Sequence, residues 1–223
     1  MDTKLKLKPI EVLDIGIDKL TKIPVPILNE NMVSVYDMES GVPSDSFLLY
    51  YNAGYGYTFY ATIASSDSFN LYIDYGDGTN ETNMILTGGT VVSHIYTSAT
   101  TYTITMSGWL DKITTLTVIN GLSSVSINYL KKLSTLNLSG NILTSINIEN
   151  MIYLKNINLS NNYFSNDEID DIFNTADTFL TFGDPLNQNI LDVTGSNNGT
   201  PSVYSINAIN SLINKFWTLN FNT

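Results

Sequence analysis

Cysteine and arginine are absent from this chain, histidine occurs once, and lysine supplies every side-chain positive charge. Without cysteine there is no disulfide and no thiolate chemistry, and redox usage says nothing about compartment. Without arginine there is no planar fork for two-point recognition of a phosphate or carboxylate. One histidine and no cysteine also starve any zinc centre, because carboxylates would have to do most of the coordination. Ten lysines face twenty-one acids, giving a net charge of −11. Residues 1–30 balance five lysines against five acids, so the surplus lies in the body from residue 31 onward. An acidic body with no basic stripe repels phosphate backbones, and no nucleic-acid partner is expected. No run approaches the roughly eighteen apolar residues of a membrane helix, so no membrane span is expected. The first twenty residues begin with lysines, but Pro9, Glu11, Asp14 and Asp18 interrupt the apolar stretch that a secretory signal needs. The expectation is a chain made without an export tag.

Asn, Ser, Thr, Ile and Tyr are abundant, which favours strands and turns over a helical bundle. The expected fold class is mainly β with some helix. Three segments follow from the pattern. Residues 1–44 read as an extended arm and linker: "KLKLK" alternates with period two, Pro24 and Pro26 confine "IPVPI" to an edge, and "MESGVPSD" reads as linker. Such an arm either packs on its own domain or docks on a partner by strand addition.

Residues 45–110 hold short alternating runs: "SFLLYY", "YTFYATIA", "FNLYIDYG", "VVSHIYT" and "TYTITMSG". Phe69, Leu71 and Ile73 share one face, as do Tyr102, Ile104 and Met106. Turn clusters between the runs predict a small antiparallel sandwich.

Residues 111–223 repeat. Leu133, Leu136, Leu138, Asn141 and Leu143 recur twenty-one residues later as Leu154, Ile157, Leu159, Asn162 and Phe164. A shorter first copy supplies Ile113, Leu116 and Val118. The pattern L-x-x-L-x-L-x-x-N-x-L at fixed period is the leucine-rich-repeat signature, in which each copy adds a short strand and closes its neighbour's core. Asn141 and Asn162 are expected to satisfy backbone groups where the chain leaves the strand. A helix is predicted from a cap at Asn166, with Ile169, Ile172, Phe173 and Ala176 inward. A fourth strand at "ILDV", a second stripe of Ile206, Ile209, Ile213 and Phe216, and a last strand "WTLNFN" would cap the array.

The chemistry-bearing stretch is "LYIDYGDGTN". It lacks the lysine of a phosphate-binding loop and the spacing of an EF-hand, leaving Asp74 and Asp77 as weak calcium candidates beside a plain Asp-Gly turn. The carboxylates of "NDEIDD" at 166–171 sit at a helix start, where acids favour the dipole. Catalytic residues, metal ligands and cofactors are therefore expected to be none. Binding candidates are two. Tyr55 and Tyr57 lie in the aromatic stretch "YYNAGYGYTFY", which suits sugar stacking, a protein contact, or plain core and cross-strand packing. Thr117, Asn137, Asn158 and Asp192 fall in one column of the repeat strands, with Thr115, Thr135 and Asn156 in another.

"IDYGDGT" followed by "VVSHIYTSATTYTITMSG" resembles the domain family named for polycystic kidney disease protein, an immunoglobulin-like sandwich. Asp77, Gly78, His94, Tyr96 and Tyr102 match its turn, its H-x-Y and its aromatic-led last strand, while Ile73 or Tyr75 stands for its usual tryptophan. The resemblance implies structural roles for these residues, His94 included. Residues 56–223 as a whole resemble a tandem of that sandwich with leucine-rich repeats. Such tandems occur in surface proteins of Bacteroidota-type bacteria and in virion proteins of their tailed phages. It implies a non-enzymatic virion component, a head decoration, fibre or tail accessory protein, docking on other virion proteins through residues 1–30. A host surface protein or glycan is a further partner, and a homo-oligomer is compatible with this reading. The alternative is a bacterial surface adhesion or glycan-binding module at the cell surface.

Overall fold

The structure, a computed structural model, describes residues 46–183 and 189–223. The arm expected at 1–44 lies outside the described residues. Two sheets dominate. One is antiparallel, in the order β4-β3-β6-β1-β8, from β1 (Ser46–Asn52), β3 (Phe69–Asp74), β4 (Asn80–Ile85), β6 (Thr101–Ser107) and β8 (Leu122–Ser126). The other has seven strands in the order β12-β11-β10-β9-β7-β2-β5. Its members are β2 (Thr58–Ser65), β5 (Thr90–Ile95), β7 (Ile113–Val118), β9 (Thr135–Asn137), β10 (Asn156–Asn158), β11 (Asn189–Asp192) and β12 (Trp217–Asn220).

Alternation explains the strands. In β1, Phe47, Leu49 and Tyr51 are buried and their neighbours half-buried; in β3 the buried set is Phe69, Leu71 and Ile73. β4 escapes a reading by hydrophobic pattern because it is a polar edge strand, "NETNMI", with only Ile85 buried. Edge strands bury one flank, so polar residues are tolerated along them.

The second sheet changes character at β7. On one side β7 pairs antiparallel with β2, Leu116 opposite Ile63; on the other it pairs parallel with β9, Leu116 beside Leu136. The parallel run then continues through β10, β11 and β12. Beyond β7 the chain returns to the first sheet as β8, beside β1. Strands from both sides of residue 110 thus share both sheets, and one hydrophobic core runs through them. Leu116, Leu136, Ile157 and Leu191 stack in register inside the second sheet, each essentially fully buried.

β9 and β10 pair with the offset of the sequence repeat, Leu136 beside Ile157. The next steps are longer, Ile157 to Leu191 and Leu191 to Leu219, because helices are inserted between strands. The first, α1 (Asn166–Phe179), buries Ile169, Ile172, Phe173 and Ala176. Its cap is Ser165, whose Oγ accepts from Glu168 N; Asn166, expected as the cap, is the first helical residue and instead accepts from Thr200 N. The second, α2 (Ile206–Asn214), buries Ala208, Ile209 and Leu212 against α1 and β12. The expected stripe is rotated: Ile206, Ile213 and Phe216 are exposed. Both stripes have helical spacing and share Ile209, so the period alone could not choose between flanks. Phe216, at φ 65°, has already left the helix.

Candidate binding face

Inside each turn of the repeat, a buried asparagine closes the backbone. Asn141 Oδ1 accepts from Leu122 N at 3.0 Å while its Nδ2 donates to Val118 O and Leu138 O. Asn162 Oδ1 accepts from Leu143 N at 3.1 Å while its Nδ2 donates to Leu138 O and Leu159 O. The series continues where the sequence period had lapsed. Asn198 accepts from Phe164 N and donates to Leu159 O and Val193 O, and Asn222 bonds Gly195 N and O and Asn198 O. An amide is the one side chain with both an acceptor and two donors in a plane, which suits strand exits that leave both kinds of backbone group unpaired. The signal for Asn198 was present: "LDVTGSNN" repeats "LNLSGN" with two extra residues before the asparagine.

A different row lies on the outer face of the seven-stranded sheet. Val91, Thr62, Thr117, Asn137, Asn158, Asp192 and Asn220 occupy adjacent positions on successive strands from β5 to β12. Four of these are the column read from sequence; Asn220 extends it, and Thr62 and Val91 carry it onto the sandwich. Neighbouring strands stand about 4.8 Å apart, so the row is a regular file of side chains. A parallel file runs through Ala64, Thr115, Thr135, Asn156, Ile190 and Thr218.

The row is locally locked. Asn137 Oδ1 accepts from Ser139 N at 3.1 Å and Ser139 Oγ at 2.8 Å. Asn158 repeats this with Ser160 at 3.1 and 2.7 Å, and Asp192 with Thr194 at 2.9 and 2.7 Å. These bonds fix which amide atom faces the turn, because a backbone N–H can only be met by the oxygen. Asn137 Nδ2, Asn158 Nδ2 and Thr117 Oγ1 take no partner among the described residues, and Asp192 Oδ2 meets only Asn220 Nδ2 at 3.5 Å.

The "DYGDGT" stretch is the β3–β4 connection. Asp74 Oδ1 accepts from Gly76 N at 2.8 Å, and Asp77 Oδ1 accepts from Thr79 N at 3.0 Å and Thr79 Oγ1 at 2.6 Å. Gly76, at φ 76°, passes so close to Thr103 O that a Cβ would lie 2.4 Å from it. Only glycine fits there. Gly78, at φ 89°, occupies the left-handed position of the Asp-Gly step. Asp77 Oδ2 lies 2.7 Å from His94 Nε2, and the His94 ring stacks on Tyr75 at 4.0 Å between centroids. Tyr96 Oη donates to Tyr75 O at 2.9 Å, its ring lying against Tyr102 and Tyr51; the Tyr75 hydroxyl donates to Glu81. Partial burial alone would raise the Asp77 carboxyl, but hydrogen bonds from Thr79 Oγ1, from His94 and from Thr79 N outweigh it and hold it at about 2. Burial pushes the Tyr75 phenol up, and its bond to Glu81 adds to that; burial likewise raises Tyr96. Asp74, Tyr75, Asp77, His94 and Tyr96 each bond at least one neighbour in the fold. Among the described residues, no three His, Asp or Glu side chains converge into a metal-binding group.

Tyr55 and Tyr57 sit apart from the outer row, on the connection between β1 and β2, 62% and 53% exposed. Tyr57 is held only through its carbonyl, which accepts from Tyr96 N. Of the "NDEIDD" carboxylates, Asp170 is buried and not solvated: its Oδ1 accepts from Ser202 N and Ser205 Oγ and its Oδ2 from Ser202 Oγ, joining α1 to the start of α2. Glu168, half-buried, accepts from Ile146 N. No helix among the described residues is long and apolar enough to cross a membrane. Comparison with protein-family models, with curated proteins and with solved structures found no match for this chain.

Proposed function

We propose that this chain is a non-enzymatic interaction protein that builds a surface: a sandwich like that of the polycystic kidney disease domains, extended by a short leucine-rich-repeat array. In this reading it is a virion component of a tailed phage, a head decoration, fibre or tail accessory. Residues 1–30 dock it on other virion proteins and the outer sheet face is displayed. The observation that supports this most is the continuity of the seven-stranded sheet from β5 to β12; in this reading it joins sandwich and repeats into one platform with a continuous outer face. Such a platform suits display, since its side chains are positioned by backbone pairing instead of by mobile loops.

Particles, envelopes and medium separated on a density gradient, with the chain quantified by mass spectrometry, test the reading. Banding with particles at a fixed ratio to the major shell protein is expected; recovery with the cell envelope replaces it with the adhesion alternative. Removal of residues 1–30 should leave a folded protein that no longer joins the particle. Unfolding on that deletion would instead make the arm part of the domain core.

A further inference from the structure

We infer that the outer row centred on Asn137, Asn158 and Asp192 is a binding site for a neutral, hydroxyl-rich saccharide chain lying across the strands. The inference rests on the reading of this face as a displayed interaction surface, and deepens it by naming the ligand.

The groups themselves select the chemistry. Asn137 and Asn158 each spend Oδ1 on the backbone N–H and hydroxyl of the serine two residues on. That leaves each Nδ2 as a held donor with no partner among the described residues. Asp192 spends Oδ1 in the same way on Thr194 and leaves Oδ2 as an acceptor on the next strand. Donors and an acceptor in one file match hydroxyl groups, each of which both donates and accepts. Asp192 is the single charge in the row, so neither an anionic nor a strongly cationic ligand is favoured. The pitch fits as well: strands recur about every 4.8 Å, close to the advance of one sugar unit in an extended β-linked chain. A ligand crossing β9, β10 and β11 would meet the same kind of group at each step.

Two further features fit a sugar. Tyr60, 53% exposed, stands on the same outer face of β2, two residues along from Thr62, which pairs with Thr117. An exposed aromatic ring beside a file of polar groups is the arrangement that accepts the apolar face of a pyranose while neighbours bond its hydroxyls. Preorganisation is the second: the turn bonds hold Asn137, Asn158 and Asp192 before any ligand arrives, which lowers the ordering cost of binding.

The test exploits that locking. In Asn137→Asp with Asn158→Asp, a carboxylate oxygen still accepts from Ser139 and Ser160, so the fold is kept, while both outward donors become acceptors and carry charge. The purified protein is titrated by calorimetry with neutral linear β-linked oligosaccharides, cello-, xylo- and chito-oligosaccharides among them, alongside a sulfated oligosaccharide as the anionic comparison. Binding of at least one neutral probe by the parent is expected. The double variant should lose at least tenfold in affinity while circular dichroism shows it still folded, its melting temperature lowered only by repulsion among neighbouring carboxylates, and Asp192→Asn should weaken binding of the same probe. A parent that binds none of the neutral probes, or prefers the sulfated one, overturns the inference, as does a folded double variant that binds as well as the parent. Should the double variant unfold, Tyr60→Ala and Thr117→Val, which touch none of the turn bonds, take its place under the same criteria. Because the titration uses the free protein, its failure is distinct from absence of the chain in particles.

Discussion

Replacing Asn162 with alanine tests the account of how the repeat holds together. Asn162 is fully buried and makes four main-chain bonds, of which the one to Ser160 O is long at 3.4 Å. Their loss is unequal. Leu138 O keeps the bond from Asn141 Nδ2, and Leu159 O keeps that from Asn198 Nδ2. Leu143 N has no other acceptor among the described residues and is orphaned in the core. A buried unsatisfied N–H costs about 1–3 kcal/mol, and each of the two weakened carbonyls loses roughly 0.5–1.5 kcal/mol. The sum, about 2–6 kcal/mol, corresponds to a fall in melting temperature of roughly 4–24 °C for a domain of this size. Differential scanning calorimetry with urea titration as a second measure reads it. Asn162→Asp separates hydrogen bonding from shape: it is isosteric, yet turns an oxygen toward two carbonyls, so it should destabilise at least as much as alanine. Exposed Asn147, which accepts only from Glu149 N, is the control, and its alanine variant should change stability by less than about 1 kcal/mol. A drop below about 2 °C for Asn162→Ala, or a harmless Asn162→Asp, would refute the assignment of the ladder as the repeat's closure. Because Asn141 and Asn162 share Leu138 O, the double alanine variant should depart from additivity.

Other outcomes follow from the same geometry. Leu136→Ala, which empties the centre of the stacked row, should cost about 2–5 kcal/mol in a chemical denaturation midpoint series. Asp77, lowered from 3.8 to about 2 in the folded chain, contributes stability that is fully present above pH 4 and lost as pH falls toward 2. Asp170, depressed because bonds from Ser202 and Ser205 outweigh its burial, acts in the same direction. The urea midpoint should therefore fall below pH 4 and fall less in Asp77→Asn; an unchanged profile would count against the bonds from Thr79 and His94 that hold Asp77 low. Asp170→Ala should loosen α2 from α1, seen as faster hydrogen exchange in residues 202–214 with the β1–β3 amides unaffected, whereas uniform change would place Asp170 in the global core.

The sequence was most legible where one interaction has one period. Leu136 and Ile157, spaced twenty-one apart, pair as adjacent strands, and alternation in Phe69, Leu71 and Ile73 marks a buried face. The outer row was partly legible: Thr117, Asn137, Asn158 and Asp192 fall in column because pairing preserves the pattern, while Asn220 and the continuation onto Thr62 needed the observed register. Sequence could not show that Asn137 and Asn158 have a locked oxygen and a spare donor, since that depends on the turn each strand makes on leaving the sheet.

Residue order alone reveals what is local and periodic: strands with one apolar side, an Asp-Gly turn at Asp77 and Gly78, the asparagines at 141 and 162, and the inward face of α1. These follow from short-range stereochemistry and from a pattern repeated often enough to have one reading. Long-range packing sets which flank of α2 is buried, brings β8 back beside β1, and lets β7 join antiparallel strands to a parallel array in one sheet. The same holds for Asn198, drawn into the ladder across a helical insertion, and for Asp170, turned from a helix-end acid into a buried tie. Each depends on contacts between residues far apart in the chain, where the energy of burying a shared face outweighs any local preference.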